Sequence, residues 1–388
     1  MKLITLLRNA LLAAVETVAV AIVLTGLAPV TVTAGELVVG QVAALSGPLA
    51  PTGSQMRAGV QLYFDAVNAE GGIHGAKLRL VSKDDGYKAD ETVRLARELL
   101  KESQPVAFIG FVGTGNVEAM LDQKVLSEAG IPLLAVRSGA ASLVRRNDPL
   151  LFMTRASYAE EVAKIVDQYV TTGTTHFAIL FQDDAFGRDA LVSAETAIGS
   201  AGGSLVAKGS YAKNTTDVGA AVKTIAAAKP QAVIMLANTA ASAEFLKQSR
   251  AAGNFAQYVA LSVTDAAQVV KAIGAEQAEG LVLTQVVPDP NGRSVPLIRE
   301  IQDNFAKFAP KDVSVNQTFV EGYLGAKVLG EGLRRAGPNP SRKKLREALE
   351  TMKSYDAGGV FISFAANRHT GSRFVDITIV NRSGKLLR

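Results

Sequence analysis

Four loops combine hydroxyl groups, glycines and backbone amides directly after apolar segments of the sequence. They cover residues 45–53, 110–116, 137–142 and 182–188. Hydroxyl and amide N–H groups donate hydrogen bonds, and the amides at the start of a helix attract anions. This pattern predicts a site for a small anion such as a carboxylate, although clusters like the first loop also form ordinary turns.

Three residues in these loops have side chains suited to contact such a ligand. Thr114 offers a hydroxyl beside a predicted helix start, and Ser138 provides another hydroxyl in the third loop. Phe186 in the fourth loop places a ring where it could close over a ligand, or where it could fill the protein core instead. These residues are the starting candidates for a binding site.

The glycines of residues 110–116 also raise the alternative of a nucleotide site. Their order is GxxGxG rather than the GxGxxG fingerprint, and no Walker lysine follows them. A nucleotide cradle therefore stays the weaker interpretation of this loop.

Two pairs of neighbouring aspartates, residues 84–85 and 183–184, invite a catalytic interpretation. Neighbours in sequence point in different directions, however, and such aspartates commonly cap the next helix. Ser46 or Ser138 could be paired with His176 as in a hydrolase, but the GxSxG elbow is missing. We therefore predict a protein that is not an enzyme and has no catalytic residues.

Metal and thiol chemistry find little support in the composition. The chain has no cysteine, which excludes disulfides, iron–sulfur clusters and thiol catalysis, and its three histidines form no HxxxH or HxH pair. We predict neither a metal site nor a cofactor.

The elements that must hold these loops alternate between strand and helix. Strands are predicted over residues 36–44, 77–84, 106–109, 131–136, 176–181, 204–209, 232–236, 257–261 and 280–283. Helices are predicted over residues 54–70, 90–102 and 115–128, and Ser157 with Glu160 forms a capping box that opens a further helix. Short apolar strands separated by helices indicate parallel sheets covered on both faces.

The pattern changes after residue 284. Prolines mark a crossing there, and long helices are predicted over residues 295–308 and 316–336. Two late strands, residues 359–364 and 374–380, are predicted to complete the two sheets already built. Both lobes of the protein would then be discontinuous in sequence.

Length and charge set the broad class of protein. The 388 residues are 48% hydrophobic and 20% charged, which predicts a folded chain with two domains. The 41 cationic and 36 anionic residues are mixed, without basic runs that could follow phosphates, so we predict no nucleic-acid partner.

The first 34 residues are predicted to be a cleaved export signal. Lys2 and Arg8 precede an apolar stretch over residues 10–27, and the small residues Val32, Thr33 and Ala34 fit a cleavage site. A membrane anchor is the alternative, weakened by Glu16 within the stretch. A lipoprotein is excluded because no cysteine can be acylated. We expect a protein of the periplasm.

Several sequence runs occur in the same order as in a known family, over nearly the whole chain after residue 34. They are VVGQ at 38–41, LSGP at 45–48, GVQL at 59–62, NAEGGIHG at 68–75, DD at 84–85, QDDAFG at 182–187, RAAG at 250–253 and AEGL at 278–281. In these runs the chain resembles branched-chain amino-acid (Leu/Ile/Val-type) binding proteins of ABC transporters.

The resemblance implies the α/β fold of type I periplasmic binding proteins. Two doubly wound parallel-sheet lobes would be joined by three crossing segments, which we place near Arg155, Thr284 and Asn367. The N-terminal lobe would contain residues 35–155 and 285–367, and the C-terminal lobe residues 156–284 and 368–388.

The resemblance also implies a function and a set of contacts. The protein would capture a small carboxylated ligand, of the branched-chain amino-acid type, and deliver it to an ABC permease in the inner membrane. By matching position, Thr114 resembles the hydroxyl that binds the ligand carboxylate. The implied ligand-binding set is Ser46, Thr52, Thr114, Ser138, Gly139, Ala140, Phe186, Asn238 and Asp265.

Three positions depart from the family pattern. Thr52 and Asn238 stand where aromatic residues are frequent, and the carboxylate expected to bind the ligand ammonium has Asp265 as its nearest counterpart. These departures leave the binding-protein architecture in place and put leucine-like specificity in doubt. A ligand-sensing receptor module of the same fold is an alternative function, and a nicotinamide-dependent oxidoreductase is an alternative from another class.

Overall fold

Apolar strands form two large sheets with helices packed against them in the computed structural model, which describes residues 35–308 and 313–388. The predicted export signal, residues 1–34, lies outside the described residues. Within the described ranges, no helix has both the length and the apolar character needed to cross a membrane.

The first sheet is parallel and has the strand order β2-β1-β3-β4-β5. Its strands are β1 Glu36–Ala43, β2 Lys77–Asp84, β3 Ala107–Ile109, β4 Leu133–Leu134 and β5 Leu151–Phe152. Strands β3, β4 and β5 are buried along their whole length, as expected for a sheet with helices on both faces.

The second sheet begins with five parallel strands. They are β6 His176–Gln182, β7 Ser204–Tyr211, β8 Ala232–Leu236, β9 Gln257–Ala260 and β10 Val282–Gln285. The remaining strands of the described chain are β11 Tyr355–Asp356, β12 Phe361–Ile362, β13 Asp376–Val380 and β14 Leu386–Leu387. Strands β13 and β14 add to the β10 edge in antiparallel orientation, giving the order β14-β13-β10-β9-β8-β6-β7.

The prediction for the two late strands is confirmed for one and wrong for the other. Residues 374–380 include β13 and extend the second sheet, but residues 359–364 do not join the first sheet. Strand β12 pairs instead with β11. The Asp356 carboxylate accepts hydrogen bonds from the amides of Gly358 and Gly359, both in the left-handed region, so the chain turns back on itself as a hairpin.

Helices cover both sheets. They are α1 Ala50–Ala69, α2 Ala89–Glu102, α3 Thr114–Asp122, α4 Val125–Ala129, α5 Ala141–Arg146, α6 Tyr158–Thr171, α7 Ala185–Ser200, α8 Gly219–Ala227, α9 Thr239–Ala251, α10 Ala266–Ile273, α11 Ala275–Ala278, α12 Pro296–Phe308, α13 Gln317–Ala336 and α14 Arg342–Glu350. A 3₁₀ turn, Gly47–Leu49, precedes α1.

Two predicted helix boundaries are wrong for local reasons. Helix α1 begins four residues earlier than expected, at Ala50, because Pro51 suits the first turn of a helix. The helix predicted over residues 115–128 is two helices, separated where Lys124 takes a left-handed backbone conformation. The capping box is confirmed: the Ser157 hydroxyl accepts a hydrogen bond from the Glu160 amide, and the Ser157 amide donates one to the Glu160 carboxylate.

The last long helices return to the first sheet. One apolar core contains Val39 and Ile109 from the first sheet together with Leu297 of α12 and Phe319 of α13. We therefore call the first sheet with α1–α5 and α12–α14 the first lobe, and the second sheet with α6–α11 the second lobe. The chain passes between lobes after β5, after β10 and before β13, and the domain boundaries at individual residues stay a prediction.

Candidate functional site

The two lobes enclose a small cavity at the carboxyl ends of their parallel strands, where ligands bind in such sheets. The empty space there is about 380 Å³, part of which is open to solvent. The first lobe contributes Leu49, Thr52, Tyr87, Val112, Gly113, Thr114 and Arg137, and the second lobe Tyr158, Phe186, Asn238 and Val263. Both lobes are therefore needed to form the site.

Helix α3 begins at the cavity wall without a side-chain cap. Its first residue, Thr114, has its Oγ1 2.8 Å from the Ser138 Oγ. One hydroxyl hydrogen is used within this pair, so the second hydrogen is free for a ligand oxygen. Together with the amides of the helix start, the pair can bind an anion.

Glycine is required at the residue before Thr114. Gly113 has φ 104°, and a Cβ atom there would lie 2.4 Å from the Cε2 atom of Tyr87. The close approach places the Tyr87 ring directly beside the start of α3. A larger side chain at this position would force that ring or the helix start to move.

Arg137 also lines the cavity, within the loop that follows β4. Its Nη1 donates to the Glu321 carboxylate, and its Nη2 donates to the Ser262 carbonyl oxygen at 3.1 Å. The Arg137 Nε–H group is buried and has no hydrogen-bond partner among the described residues. Arg137 is thus paired with Glu321 and keeps one donor that no described group uses.

Arg137 belongs to a buried ionic cluster, which consists of Arg137, Arg155, Glu161 and Glu321. Arg155 lies in the crossing after β5 and contacts Glu161 of the second lobe at 2.7 Å and Glu321 of the first lobe at 3.2 Å. Burial alone lowers the pKa of the Arg155 guanidinium, but the charges of Glu321 and Glu161 outweigh it and raise that pKa. Arg155 therefore stays charged where the two lobes meet.

Three aromatic residues close the remaining wall. The Tyr158 and Phe186 rings meet edge to face with centroids 5.2 Å apart, and Tyr87 faces them from the first lobe. Burial raises the pKa values of the Tyr87 and Tyr158 phenols, so both remain neutral at neutral pH. The cavity wall is thus largely apolar around a few polar groups.

Direct contacts hold the lobes together around the cavity. Lys213 of the second lobe lies 3.9 Å from the Tyr87 ring centroid, and its Nζ donates to the Asn116 Oδ1 at 3.3 Å. Gln182 donates to the Tyr87 hydroxyl at 3.2 Å. These contacts describe a closed arrangement of the lobes.

A carboxylate of the protein itself occupies part of the third predicted loop. Asp189 of α7 accepts hydrogen bonds from the amides of Ala141 and Ser142, at 2.7 and 2.8 Å. Helix α5 of the first lobe is thus capped from the second lobe. These two amides therefore bind a side chain of the other lobe. Sequence reasoning did not find Asp189, because it lies inside a helix.

The structure brings four of the predicted site residues to the cavity wall: Thr52, Thr114, Phe186 and Asn238. Ser138 contacts Thr114 through its hydroxyl but does not itself line the cavity. Gly139 and Ala140, which follow Ser138, are buried. Their roles toward a ligand stay a prediction.

Ser46 and Asp265 do not line the cavity. Ser46 is exposed, and its amide donates to the Asp84 carboxylate together with the amide of Leu45. Asp265 caps α10 by accepting from the Gln268 amide, and its other oxygen accepts from the Asn316 side chain at 2.5 Å. The structure therefore gives Asp265 partners within the protein.

Sequence reasoning missed three large residues of the wall. Tyr87 follows β2, Arg137 follows β4, and Tyr158 begins α6. The rule that ligands bind at the carboxyl ends of parallel strands could have found Tyr87 and Arg137, because both lie within a few residues of a predicted strand end.

Two doubly wound lobes around a cavity at their strand ends define a ligand-binding protein with the type I periplasmic fold. A family model described as periplasmic binding protein matches residues 36–385. The chain therefore belongs to the periplasmic binding protein family.

Similar proteins share this architecture. The substrate-binding periplasmic protein of Ralstonia solanacearum is 38% identical, with a TM-score of 0.87, and the match covers 91% of this chain and 99% of that one. An extracellular ligand-binding receptor from Verminephrobacter eiseniae ef01-2 is 28% identical, with a TM-score of 0.85, covering 91% and 100%. Leu/Ile/Val-binding protein homolog 7 of Brucella suis biovar 1 (strain 1330) is 24% identical over 60% of this chain, which spans 59% of the length of that relative.

Proposed function

We propose that the protein captures a small carboxylated ligand between its closing lobes and delivers it to an ABC permease of the inner membrane. The observation that supports this most is the uncapped start of α3, where Thr114 and its Ser138 partner adjoin the cavity. A hydroxyl and free amides can each donate a hydrogen bond to a carboxylate oxygen.

The charge of the wall favours the same class of ligand. Arg137 lines the cavity, and although its Nη1 is paired with Glu321, its Nε–H group is unused. Hydrogen bonds that involve a charged group are shorter and stronger than neutral ones. A carboxylate placed between Thr114 and Arg137 would use both groups.

Thr114→Val tests this assignment, because valine has nearly the same shape and lacks the hydroxyl. Losing a hydrogen bond to a charged group costs about 1.5–3 kcal/mol, so binding should weaken by roughly ten- to a hundredfold. Calorimetry measures the dissociation constants of 3-phenylpropanoate and 4-methylpentanoate, together with their amino-acid counterparts phenylalanine and leucine.

Thr196→Val is the matched control. Thr196 is exposed on α7, and its hydroxyl donates only to the Val192 carbonyl oxygen of the same helix. We expect this control to bind like the unchanged protein. Tight binding of an uncharged sugar that Thr114→Val leaves unaltered would overturn the carboxylate assignment.

The name of the Brucella relative supports an amino-acid ligand, and the name of the Verminephrobacter protein supports a ligand-sensing receptor as the second candidate function. Uptake of the ligand by cells whose transport system is already induced distinguishes the two functions. Deleting a transport component abolishes uptake, whereas deleting a sensor leaves uptake of an already induced system intact.

We also propose that the protein acts in the periplasm after cleavage of residues 1–34. The support is the charged and apolar N-terminal sequence together with the family. N-terminal sequencing of the protein from the periplasmic fraction should begin at Gly35. Recovery only from membranes, with Met1 retained, would contradict the proposal.

A further inference from the structure

We propose that the preferred ligand is a monocarboxylate without an α-ammonium group, such as a small aryl- or branched alkanoate. This inference rests on the proposed function, because it specifies the ligand class of the same cavity.

The wall of the cavity contains a cation and no acidic residue among the described part of the chain. Its polar side chains are those of Thr52, Thr114, Arg137 and Asn238, with the neutral phenols of Tyr87 and Tyr158. An α-amino acid would bring an ammonium group into this closed site. A buried ammonium without an opposite charge is costly.

The carboxylates that lie near the cavity already have partners in the protein. Asp85 accepts from the Thr92 hydroxyl at 2.6 Å and from the Tyr87 amide at 2.8 Å. Asp184 accepts from the Gly187 amide at 3.1 Å and from the Gln182 side chain at 2.8 Å. Neither carboxylate lines the cavity.

The same holds for the acids contributed by more distant segments. Asp265 is held by the Gln268 amide and Asn316, and Asp189 by two amides of the first lobe. Glu321 is shared between the two arginines of the ionic cluster. Recruiting any of these acids to an ammonium would break a helix cap, a contact between lobes or a buried ion pair.

The remainder of the wall suits a hydrocarbon body. Leu49, Val112, Phe186 and Val263 present apolar side chains, and the whole empty volume is about 380 Å³. A carboxylate bound at Thr114 and Arg137 would leave its hydrocarbon part against these side chains. A short aryl or branched alkyl chain matches the polarity of this part of the wall.

Two matched pairs of ligands test the proposal. 3-Phenylpropanoate differs from phenylalanine, and 4-methylpentanoate from leucine, only by the absence of the α-ammonium group. The mature protein is first partially unfolded and dialysed to remove carried ligand. Calorimetry should then show that at least one of the two acids binds at least tenfold more tightly than the amino acid of its pair. Tighter or equal binding of the amino acids would overturn the proposal.

A third ligand separates failure of this inference from failure of the proposed function. 3-Phenylpropanamide has the same shape as the acid and no negative charge. Binding of the amide as tight as that of the acid would overturn the proposed carboxylate function itself. Weak binding of the amide with tight binding of phenylalanine would leave that function intact and overturn only the inference that the preferred ligand has no α-ammonium group.

A variant adds the missing charge. Asn238 lines the cavity, and its Oδ1 caps α9 by accepting from the Ala241 amide. Asn238→Asp keeps a good cap and introduces a carboxylate, whereas Asn238→Ser keeps a good cap without charge. Both variants lose the hydrogen bond that the Asn238 Nδ2 donates to the Gln182 Oε1 at 3.0 Å, so the serine variant controls for that loss. We expect the aspartate variant to shift the affinity ratio toward the amino acids by at least tenfold and the serine variant to leave it unchanged. An unchanged ratio in the aspartate variant, with both ligands still bound, would contradict the proposal.

Discussion

Removing one carboxylate from the ionic cluster should destabilise the protein strongly. Glu321 is 4% exposed and contacts both Arg137 and Arg155. In Glu321→Gln, Arg155 keeps Glu161, but Arg137 keeps only neutral acceptors, the Ser262 carbonyl oxygen and the glutamine amide oxygen, and becomes a buried cation without an anion. Leaving such a charge unpaired costs about 3–5 kcal/mol.

This loss corresponds to a change of about two to nearly four powers of ten in the unfolding equilibrium. Urea unfolding measures it, with tyrosine fluorescence and circular dichroism as independent probes. The chain contains eight tyrosines and no tryptophan, so the fluorescence reports on tyrosines such as those at the cavity. Coincident transitions for the two probes would justify a single free energy of unfolding.

Glu36→Gln is the matched control, because Glu36 contacts Arg79 at 2.7 Å with both side chains nearly half exposed. Exposed pairs of this kind contribute about 0–1 kcal/mol. If Glu321→Gln destabilises the protein no more than Glu36→Gln does, the argument that burial makes the ionic cluster indispensable is refuted.

Two further predictions concern closure and pH. Lys213→Met removes the cation over the Tyr87 ring, which is worth about 0.5–2 kcal/mol, so the ligand dissociation rate should rise about two- to thirtyfold in stopped-flow measurements. The control Lys208→Met breaks an exposed ion pair within the second lobe, and an equal rise in that variant would contradict a role of Lys213 in closure. Burial raises the pKa of the Asp84 carboxyl, but hydrogen bonds from Ser46 and from three backbone amides outweigh it and hold that pKa below its ordinary value. Asp84 therefore stabilises the fold fully above the unfolded-state pKa of about 3.9 and loses this contribution as the pH falls through its native pKa. Asp84→Asn should flatten the acid limb of stability against pH in urea unfolding, and an unchanged acid limb would count against this role.

Local pattern was sufficient to predict most elements and part of the site. The alternation of apolar strands and helices predicts parallel sheets, and the loops after the strands contain Thr114, Phe186 and several of their neighbours at the cavity. These predictions succeed because hydrophobic periodicity and helix starts are properties of neighbouring residues. The hairpin of β11 and β12 is not predicted from local pattern. The turn between these strands pairs them with each other, whereas the sequence predicts that residues 359–364 complete the first sheet.

Only the tertiary structure decides which charges meet. Arg137 and Glu321 are 184 residues apart, and Asp265 and Asn316 are 51 residues apart, yet each pair is in contact. The sequence alone shows Asp265 as an acid near a strand end, which suits an ammonium. The packing of the lobes instead gives its carboxylate an amide partner and leaves Arg137 at the cavity wall, because the cost of burying a charge depends on neighbours that folding brings from distant segments.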